Sequence, residues 1–527
     1  MPDEIENVNL RKKGTVLALL GFGLWLTIIL LTPPRIPSGD LICFKDPGIN
    51  FARGEGLVER LSPAHHSLTP QFYSNYPPLA PYLYGFYVKV AGVSAKADEV
   101  FDFLTSSLAG LMFWFYIAPR FCSKRDSIAC LCLLGLLLLL LPIGPFWTQR
   151  ERPDSLSFAV MLGSLMIFRG PLSEKRIFLT MLVAGVNGLI SPFGFVMNCG
   201  VIMAMVMVKT LPKYQAKEIS ISRILRLAAA AVAGVVIPLV GLFVIQWLND
   251  PSAISRFATN ASGKSTNGTA GAGYFAALLK GDFHHYLSAF KRYNSIRYQW
   301  MMCHLVFVAL LALVYFLRRR KSGATDLRWL CVLAIACAAF FPPLIFPYQP
   351  CYTSFTAAII AILFVGLVFE TERRLPISAI TTVLIGTLFL SLVALPFTLR
   401  EFAIGYAVQP TSLRINQFIS QLRKETGDSP LTVASTAASY FDFKRTGFIV
   451  TDMSSVLTDE HVSQIDLFAF TSNATPFHAP PDIPAWIYEK NFELIHAQEI
   501  DSPVKIGHLP VYNRRSSWDV VVYRRRK

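Results

Sequence analysis

Two aspartates lie shortly after the first apolar segment of the chain. Residues 14–32 form that segment, and Asp40 and Asp46 follow it. Holding a carboxylate close to hydrocarbon is costly, so ionisable groups at this depth predict a functional role. For both residues the alternative is a solvated position in a loop. Asp46 could also begin a helix, because Asp is a favoured N-cap and Pro47 suits the first helical turn.

An aromatic segment rich in proline follows, beginning Tyr76-Pro77-Pro78-Leu79. Tyrosine-rich amphipathic segments settle at the level of the lipid headgroups. The segment is long enough to lie along the membrane surface but too polar and too interrupted by proline to cross it. Tyr76 therefore either faces a substrate at the surface or anchors the segment there.

A short loop between two apolar segments carries Arg150 and Arg152, next to Glu151 and Asp154. The predicted topology puts this loop outside, where positive charge is usually avoided. Because a guanidinium pairs bidentately with phosphate, one hypothesis is that these arginines meet a lipid phosphate. The other is that they pair with the neighbouring carboxylates in a surface cluster. Asp154 is a further candidate carboxylate.

Weaker candidates lie further along the chain. Lys291 and Arg292 come shortly before an apolar segment, where they either meet phosphates or extend toward the headgroups. Tyr348 lies in an uncharged turn and either lines a cavity or packs. We find neither a CxxC pair nor a nucleotide-binding or HExxH motif in the sequence, so no metal or cofactor is predicted.

Composition identifies a membrane protein with water-facing parts. The 527 residues are 53% hydrophobic and only 16% charged, whereas soluble domains are about a quarter charged. The formal net charge is +15, but the basic residues cluster between apolar runs as topology signals do. A basic face interleaved with stacking aromatics is missing from the sequence, which argues against nucleic-acid binding.

Eleven apolar runs are predicted to cross the membrane, at about 17–25 residues per span. They lie near residues 14–32, 101–118, 127–146, 154–168, 177–192, 193–208, 227–248, 301–317, 327–346, 350–369 and 376–396. Basic residues follow every even-numbered span, which places the amino terminus in the cytoplasm and the carboxyl terminus outside.

The predicted organisation has two parts. Residues 1–400 form the membrane module, with long outer loops at 33–100 and 249–300, and residues 401–527 form an outer α/β domain. Within this tail, 413–424 is predicted to be an amphipathic helix. Short β-type runs are predicted at residues 430–434, 447–451, 466–470 and 518–523.

These motifs together resemble the GT-C glycosyltransferases, multispanning enzymes that take sugars from polyprenyl-phosphate carriers. The resemblance covers roughly residues 10–400. It depends on Asp40, Phe44, Ala52-Arg53, Gly54, Tyr76-Pro77-Pro78-Leu79, Arg152-Pro153-Asp154 and Phe346-Pro347-Tyr348. The last two motifs are similar to those of the PMT-like branch. One departure is that Asp40 lacks the adjacent acidic partner usual in the class.

The resemblance implies an inverting transfer at the outer face of the membrane. Asp40 would be the general base, with Asp46 or Asp154 in support or in its place. Arg150, Arg152 or Lys291 would neutralise the leaving phosphate. The expected partners are a polyprenyl-phosphate-linked sugar, a glycan, lipid or protein acceptor, and membrane lipids. We expect the protein in the inner membrane of a bacterium.

Alternatives stay open. An oligosaccharide or polymer ligase with a diphosphate-linked donor would use a divalent cation, which a monophosphate donor does not require. A transporter or flippase for lipid-linked substrates would need charged or broken segments at mid-span, and the charges here crowd at the ends of spans. A scaffold would not need eleven spans.

Overall fold

The structure is a computed structural model that describes part of the chain. The described residues are 2–34, 41, 44–60, 69–74, 76–121, 152–168, 171–257, 414–427, 429–435, 439–452, 459–471, 491–498, 505–506, 509–510 and 520–526. The five predicted spans at 127–146, 301–317, 327–346, 350–369 and 376–396 lie outside these residues.

Eight helices form the first part of the described chain. They are α1 (Pro2–Leu31), α2 (Asp46–Ala52), α3 (Leu79–Ala91), α4 (Ala95–Phe121), α5 (Asp154–Ile167), α6 (Glu174–Gly188), α7 (Pro192–Gln215) and α8 (Ile221–Asn249). The remaining six predicted spans each coincide with one of them. By length and apolarity alone, α8 is the one described helix that qualifies as a membrane span.

Contacts between helices α1 and α4 define their relative directions. Lys96 at the start of α4 donates to the carbonyls of Ile29 and Thr32 at the end of α1, both at 2.6 Å. Further along, Phe22 and Phe103 stack with ring centroids 5.2 Å apart. The two helices are therefore antiparallel, as consecutive predicted spans 1 and 2 require. A cation also complements the exposed carbonyls and negative dipole at a helix carboxyl end.

Helices α6 and α8 run in the same direction. A side chain at Gly234 would meet the carbonyl oxygen of Phe178 at 2.5 Å, and one at Gly185 would meet Pro238 at 2.9 Å. Arg226 and Glu174 pair at 3.1 Å at the starts of the two helices. Small residues that allow close backbone approach are typical of helix contacts in membranes. The parallel arrangement agrees with their prediction as spans 5 and 7.

The first loop contains two short helices in direct backbone contact. A side chain at Gly48 of α2 would lie 2.5 Å from the Pro81 carbonyl, and one at Gly85 of α3 would lie 2.5 Å from the Gly48 carbonyl. Gly54 ends α2 with a φ of 86°, a conformation that glycine adopts without strain. The glycines therefore allow α2 to lie against α3.

Helix α3 is fixed at its first residue. The Leu79 amide donates to the Leu189 carbonyl, just beyond α6, at 3.0 Å. At 13 residues and 1.5 Å rise per residue, α3 is too short to cross about 30 Å of hydrocarbon. The segment after Pro78, predicted not to cross the membrane, is this short helix. Strands β1 (Val58–Glu59) and β2 (Gln71–Phe72) pair antiparallel before it.

The tail contains a mixed five-stranded sheet. Its elements are a helix at residues 414–426, β3 (Thr432–Ser435), α9 (Tyr440–Arg445), β4 (Ile449–Asp452), α10 (Asp459–Ser463), β5 (Leu467–Thr471), β6 (Phe492–Gln498), β7 (Lys505–Ile506), β8 (Leu509–Pro510) and β9 (Val520–Arg525). The strand order is β4-β3-β5-β9-β6. Strand β3 is parallel to β4 and β5, whereas β9 is antiparallel to β5 and β6. The predicted helix and four predicted strands are confirmed, and β6, β7 and β8 were not predicted.

A single apolar cluster joins the tail to the first loop. Leu41, Ile49 and Tyr84 from the loop are buried together with Ile419 and Phe443 from the tail. Burial of apolar area contributes about 25 cal/mol per Å², so this shared cluster is a substantial attachment. The tail consequently lies on the same side of the helices as the first loop.

Candidate active site

Leu41 is hydrogen-bonded to the residue that precedes α2. The Lys45 amide donates to the Leu41 carbonyl at 2.8 Å, and the Ile49 amide donates to the Lys45 carbonyl at 3.1 Å. Three consecutive residues of this segment, Phe44, Lys45 and Asp46, contact three different parts of the chain. All three are buried. The segment immediately after Asp40 is therefore a meeting point of the membrane helices and the tail.

Asp46 contacts the tail. Its Oδ1 lies 2.7 Å from Nζ of Lys444 and also accepts a hydrogen bond from the Tyr440 hydroxyl. Its Oδ2 accepts from the Asn50 amide at 2.9 Å. Burial lowers the pKa of Lys444, against the opposing effect of Asp46. Burial also raises the pKa of Tyr440, and the Asp46 charge adds to that rise.

Asp46 begins α2, as the structural alternative predicted, but it does not cap the helix. The N-cap position is occupied by Lys45, which makes no side-chain cap hydrogen bond, and Pro47 lies one position later than expected. The carboxylate is directed to the tail because Lys444 and Tyr440 supply stronger, charge-assisted partners than a backbone amide. The carboxylate of Asp46 therefore accepts from three donors and holds the start of α2 against the tail.

Lys45 contacts helix α4. Its Nζ lies 2.5 Å from Asp98 Oδ1 and 2.6 Å from Asp102 Oδ1, and it lies 5.2 Å from the centre of the Tyr84 ring. Asp98 lies before predicted span 2. Burial raises its pKa to about 6, with Lys45 opposing the rise and Asp102 adding to it. One cation thus faces two carboxylates four residues apart on one helix face.

Phe44 contacts the start of α5. The Arg152 guanidinium lies 5.0 Å from the centre of the Phe44 ring, and the Tyr76 ring meets Phe44 edge-on at 4.7 Å. Arg152 Nε donates to Asp154 Oδ2 at 3.0 Å, with side chains 9% and 6% exposed. The predicted pairing of Arg152 with a neighbouring carboxylate is confirmed. The pair is buried, however, because Phe44 covers it, so the predicted surface cluster is wrong for these two residues.

The structure brings together four of the nine predicted site residues. Asp46, Arg152, Asp154 and Tyr76 all lie around the segment from Phe44 to Asp46. The other five lie outside the described residues: Asp40, Arg150, Lys291, Arg292 and Tyr348. Asp40 directly precedes Leu41, so its neighbour in sequence is part of the buried cluster.

Sequence reasoning missed most partners of these residues. Asp98 and Asp102 could have been recognised as a pair, because their spacing of four places them on one helix face. Asp98 lies just before the second predicted span and Asp102 lies at its start. Tyr440 and Lys444 have the same spacing in the tail. Their partners are 394 residues away in sequence, and no local pattern indicates which distant residue such a pair contacts.

Chemically, the site holds anions and cations at the boundary between the helices and the tail. Among the described residues, no group of three or more His, Cys, Asp or Glu side chains is placed to hold a metal ion. The expectation that no metal is required stays a prediction. The arrangement can orient a guanidinium at the start of α5 and hold the segment after Asp40 rigid.

The chain is similar in fold to known structures. A solved structure that it resembles is ArnT from Cupriavidus metallidurans, crystallised with bound undecaprenyl phosphate. The TM-score is 0.53 at 12% sequence identity, over 97% of this chain and 97% of that chain. The similarity at this identity is one of fold, and it agrees with the predicted class of multispanning fold. The eleven spans and the outer tail domain stay predictions.

A second solved structure with similarity is the oligosaccharyltransferase of Archaeoglobus fulgidus in complex with Zn and sulfate. Its TM-score is 0.46 at 12% identity, over 87% of this chain and 67% of that chain. No protein-family model and no curated protein sequence matches the chain.

Proposed function

We propose that this protein is an inverting glycosyltransferase that moves a sugar from a polyprenyl-phosphate carrier to an acceptor hydroxyl at the outer face of the membrane. The observation that supports this most is the shared fold with ArnT over 97% of both chains. That protein was crystallised with undecaprenyl phosphate, which is the carrier class proposed here. The acceptor is a glycan, a lipid or a protein.

Asp40 is the proposed general base. Its carboxylate takes the proton of the acceptor hydroxyl while the hydroxyl oxygen forms a bond to the anomeric carbon. The bond between the anomeric carbon and the phosphate oxygen breaks, and the polyprenyl phosphate leaves with the electron pair. General-base catalysis of this kind contributes about 10²–10⁴-fold. Asp46 and Asp154 have supporting roles, because each is buried in contact with a cation.

The departing phosphate requires neutralisation of negative charge rather than a proton, because it is already a good leaving group. Arg150, Arg152, Lys291 and Arg292 are the proposed cations. Arg152 is supported by its geometry, since Asp154 and the Phe44 ring hold its guanidinium plane in a fixed orientation. A preorganised cation is worth more than a mobile one because it does not reorganise during the reaction.

Aromatic residues are the proposed contacts for the lipid and sugar. Tyr76 lies edge-on to Phe44, one ring away from Arg152, and Tyr348 is assigned to the same role. No cofactor is needed for a monophosphate donor. A divalent cation would assist if the donor were a diphosphate, since it would neutralise the additional charge.

The test is a transfer assay in membranes with a panel of radiolabelled polyprenyl-phosphate sugars. Asp40→Asn is expected to reduce transfer by about 10²–10⁴-fold at normal protein level. The matched control is Glu218→Gln, which neutralises an exposed carboxylate between α7 and α8 and should leave transfer unchanged. If the wild type transfers no sugar from any donor, the proposal is wrong.

Two further measurements in the same assay identify the general base and the class of donor. If Asp40→Asn is as active as the wild type and Asp46→Asn is inactive, the base is Asp46. Chelation with EDTA should not change transfer from a monophosphate donor. Loss of activity on chelation that returns with added divalent cation would instead favour the ligase with a diphosphate donor.

A further inference from the structure

We propose that Lys444 and Tyr440, on helix α9 of the tail, are positioning residues for the catalytic segment of the first loop. This inference rests on the proposed function, because it concerns the segment that follows Asp40. The tail would then act on the reaction itself by holding that segment in place, in addition to any role in binding the acceptor.

The contacts between α9 and α2 are charged, buried and specific. Lys444 Nζ lies 2.7 Å from both Asp46 Oδ1 and Asn50 Oδ1, and the Lys444 side chain is 2% exposed. In the reverse direction, Arg53 of the first loop donates to the Lys444 carbonyl. One residue of the tail therefore contacts three residues spaced along the whole of α2.

These contacts hold the carboxylate of Asp46 in one orientation. Tyr440 and Lys444 both approach Oδ1, whereas Asn50 approaches Oδ2. Asn50 is itself fixed, since its amide donates to the Val58 carbonyl at 2.9 Å. A buried carboxylate with all of these partners adopts a single rotamer, because any rotation leaves a buried charge unpaired.

The tail also contacts Leu41, the residue after Asp40. The Lys45 amide donates to the Leu41 carbonyl, and Leu41 is fully buried in the cluster that contains Tyr440 and Phe443. The tail therefore contacts the catalytic segment at Leu41 through apolar packing and at Asp46 through charge. A displacement of about 1 Å at a reacting group can cost about 10²-fold in rate.

Activity of single variants is the first test, in the membrane assay with the donor that the wild type uses. Lys444→Met is expected to lower kcat by about 10–100-fold while KM for the donor changes by less than about threefold. Tyr440→Phe keeps the ring in the cluster and removes one hydrogen bond, so a smaller fall in kcat is expected. Arg445→Met is the matched control, because Arg445 is exposed and contacts Asn416 within the tail.

The second test uses the double variant Asp46→Asn, Lys444→Met. If the two residues act as a unit, the losses are not additive, and the double variant is more active than the product of the single losses predicts. Additive losses, or a Lys444→Met variant with wild-type kcat, would overturn the proposal. A change in donor KM alone would also overturn it, since that is the result of a binding role.

Hydrogen exchange separates this inference from the proposed function. In purified protein, amides of residues 44–53 should exchange faster in Lys444→Met and Tyr440→Phe than in the wild type and in Arg445→Met. Exchange in α6 and α8 should not change, which shows that the variants are folded. If the wild type has no transferase activity but exchange responds as expected, the function is wrong and the contact between α9 and α2 still holds the segment. Unchanged exchange at residues 44–53 would overturn the inference whatever the activity.

Discussion

Lys45 and Asp46 are adjacent in sequence, but the charged groups around them differ in number and sign. Lys45 is one cation between two carboxylates of the neighbouring helix α4. Asp46 is one carboxylate that receives a cation, a hydroxyl and an amide, all from α2 and the tail. The Lys45 contact attaches the first loop to helix α4. The Asp46 contact attaches the same loop to the tail, where its partner Tyr440 lies 394 positions later in the sequence.

The difference shows which contact can respond to pH. In the Lys45 cluster, burial raises the pKa of Asp98 to about 6, with Lys45 opposing the rise and Asp102 adding to it. Around Asp46 the carboxylate is matched by Lys444. We therefore expect the contact with α4 to titrate in the mildly acidic range.

The largest effect is expected for Lys45→Met. This change leaves two buried carboxylates of α4 without their cation, and removing one partner of a buried ion pair costs about 3–5 kcal/mol. Asp46→Asn should cost less, because it leaves one buried cation without its carboxylate rather than two carboxylates without their cation, and Lys444 keeps Asn50 Oδ1 as an acceptor. Thermal unfolding of the purified protein in detergent would compare the two. Equal destabilisation would contradict the difference drawn between these contacts.

A smaller loss is expected for alanine at the two contact glycines. Gly48→Ala and Gly85→Ala each place a methyl group 2.5 Å from a backbone carbonyl oxygen, and overpacking of this kind costs about 1–3 kcal/mol. Because α2 carries Asp46 and follows Lys45, both contacts should loosen together. Gly241→Ala in α8 is the control, since nothing lies within 4 Å of its added methyl. Unfolding temperatures that fall equally in all three variants would contradict this reading.

The third prediction concerns pH. Asp98 has a raised pKa of about 6 in the folded protein against 3.8 ordinarily, so the folded state binds more protons between these values. Asp98 therefore increases the free energy of unfolding below about pH 4. This stabilisation decreases as the pH rises to about 6, by about 1.4 kcal/mol for each unit of difference between the folded and unfolded pKa. Unfolding midpoints from pH 4 to 7 would measure it.

The matched comparison is between Asp98→Asn and Asp442→Asn. Burial also raises the pKa of Asp442 to about 6, with Arg445 opposing it, but this group lies in the tail away from α4. Each variant should reduce the pH dependence of the unfolding midpoint. The protection of amides at residues 44–53, relative to their intrinsic exchange rates, should lose its pH dependence in Asp98→Asn alone. If Asp442→Asn has the same effect there, the contact with α4 is not the pH-sensitive one.

Much of the architecture could be predicted because it depends on local pattern. Apolar length predicted the six helices that coincide with predicted spans. The run from Thr432 to Ser435 has the β-branched and small residues of a buried strand. Strand β6 escaped prediction because a bulge between Leu494 and His496 interrupts its alternation. Its polar residues Glu493 and His496 consequently do not follow a period of two.

The partners in the site could not be predicted, and the reason is physical. Burying Lys444 is favourable only where a carboxylate is already fixed, and that position depends on the assembled fold. In the sequence, Lys444 and Arg445 are two adjacent basic residues. One is 2% exposed in contact with Asp46 and the other is exposed at the surface. Helix periodicity distinguishes their faces but does not identify what either face contacts.

The smallest effect is expected at the third contact of the segment, between Phe44 and α5. Arg152→Lys keeps the positive charge but loses the planar group over the Phe44 ring and the Nε–H donor to Asp154. A cation on an aromatic face is worth about 0.5–1 kcal/mol at exposed sites and more when desolvated, so about 1 kcal/mol of stability should be lost. If Arg152 also orients the donor phosphate, KM or kcat should change by more than this stability loss explains. Arg223→Lys at the start of α8 is the control, and thermal unfolding with transfer kinetics measures both effects. A fully active Arg152→Lys variant with reduced stability would mean that this contact holds Phe44 in place and takes no part in the transfer.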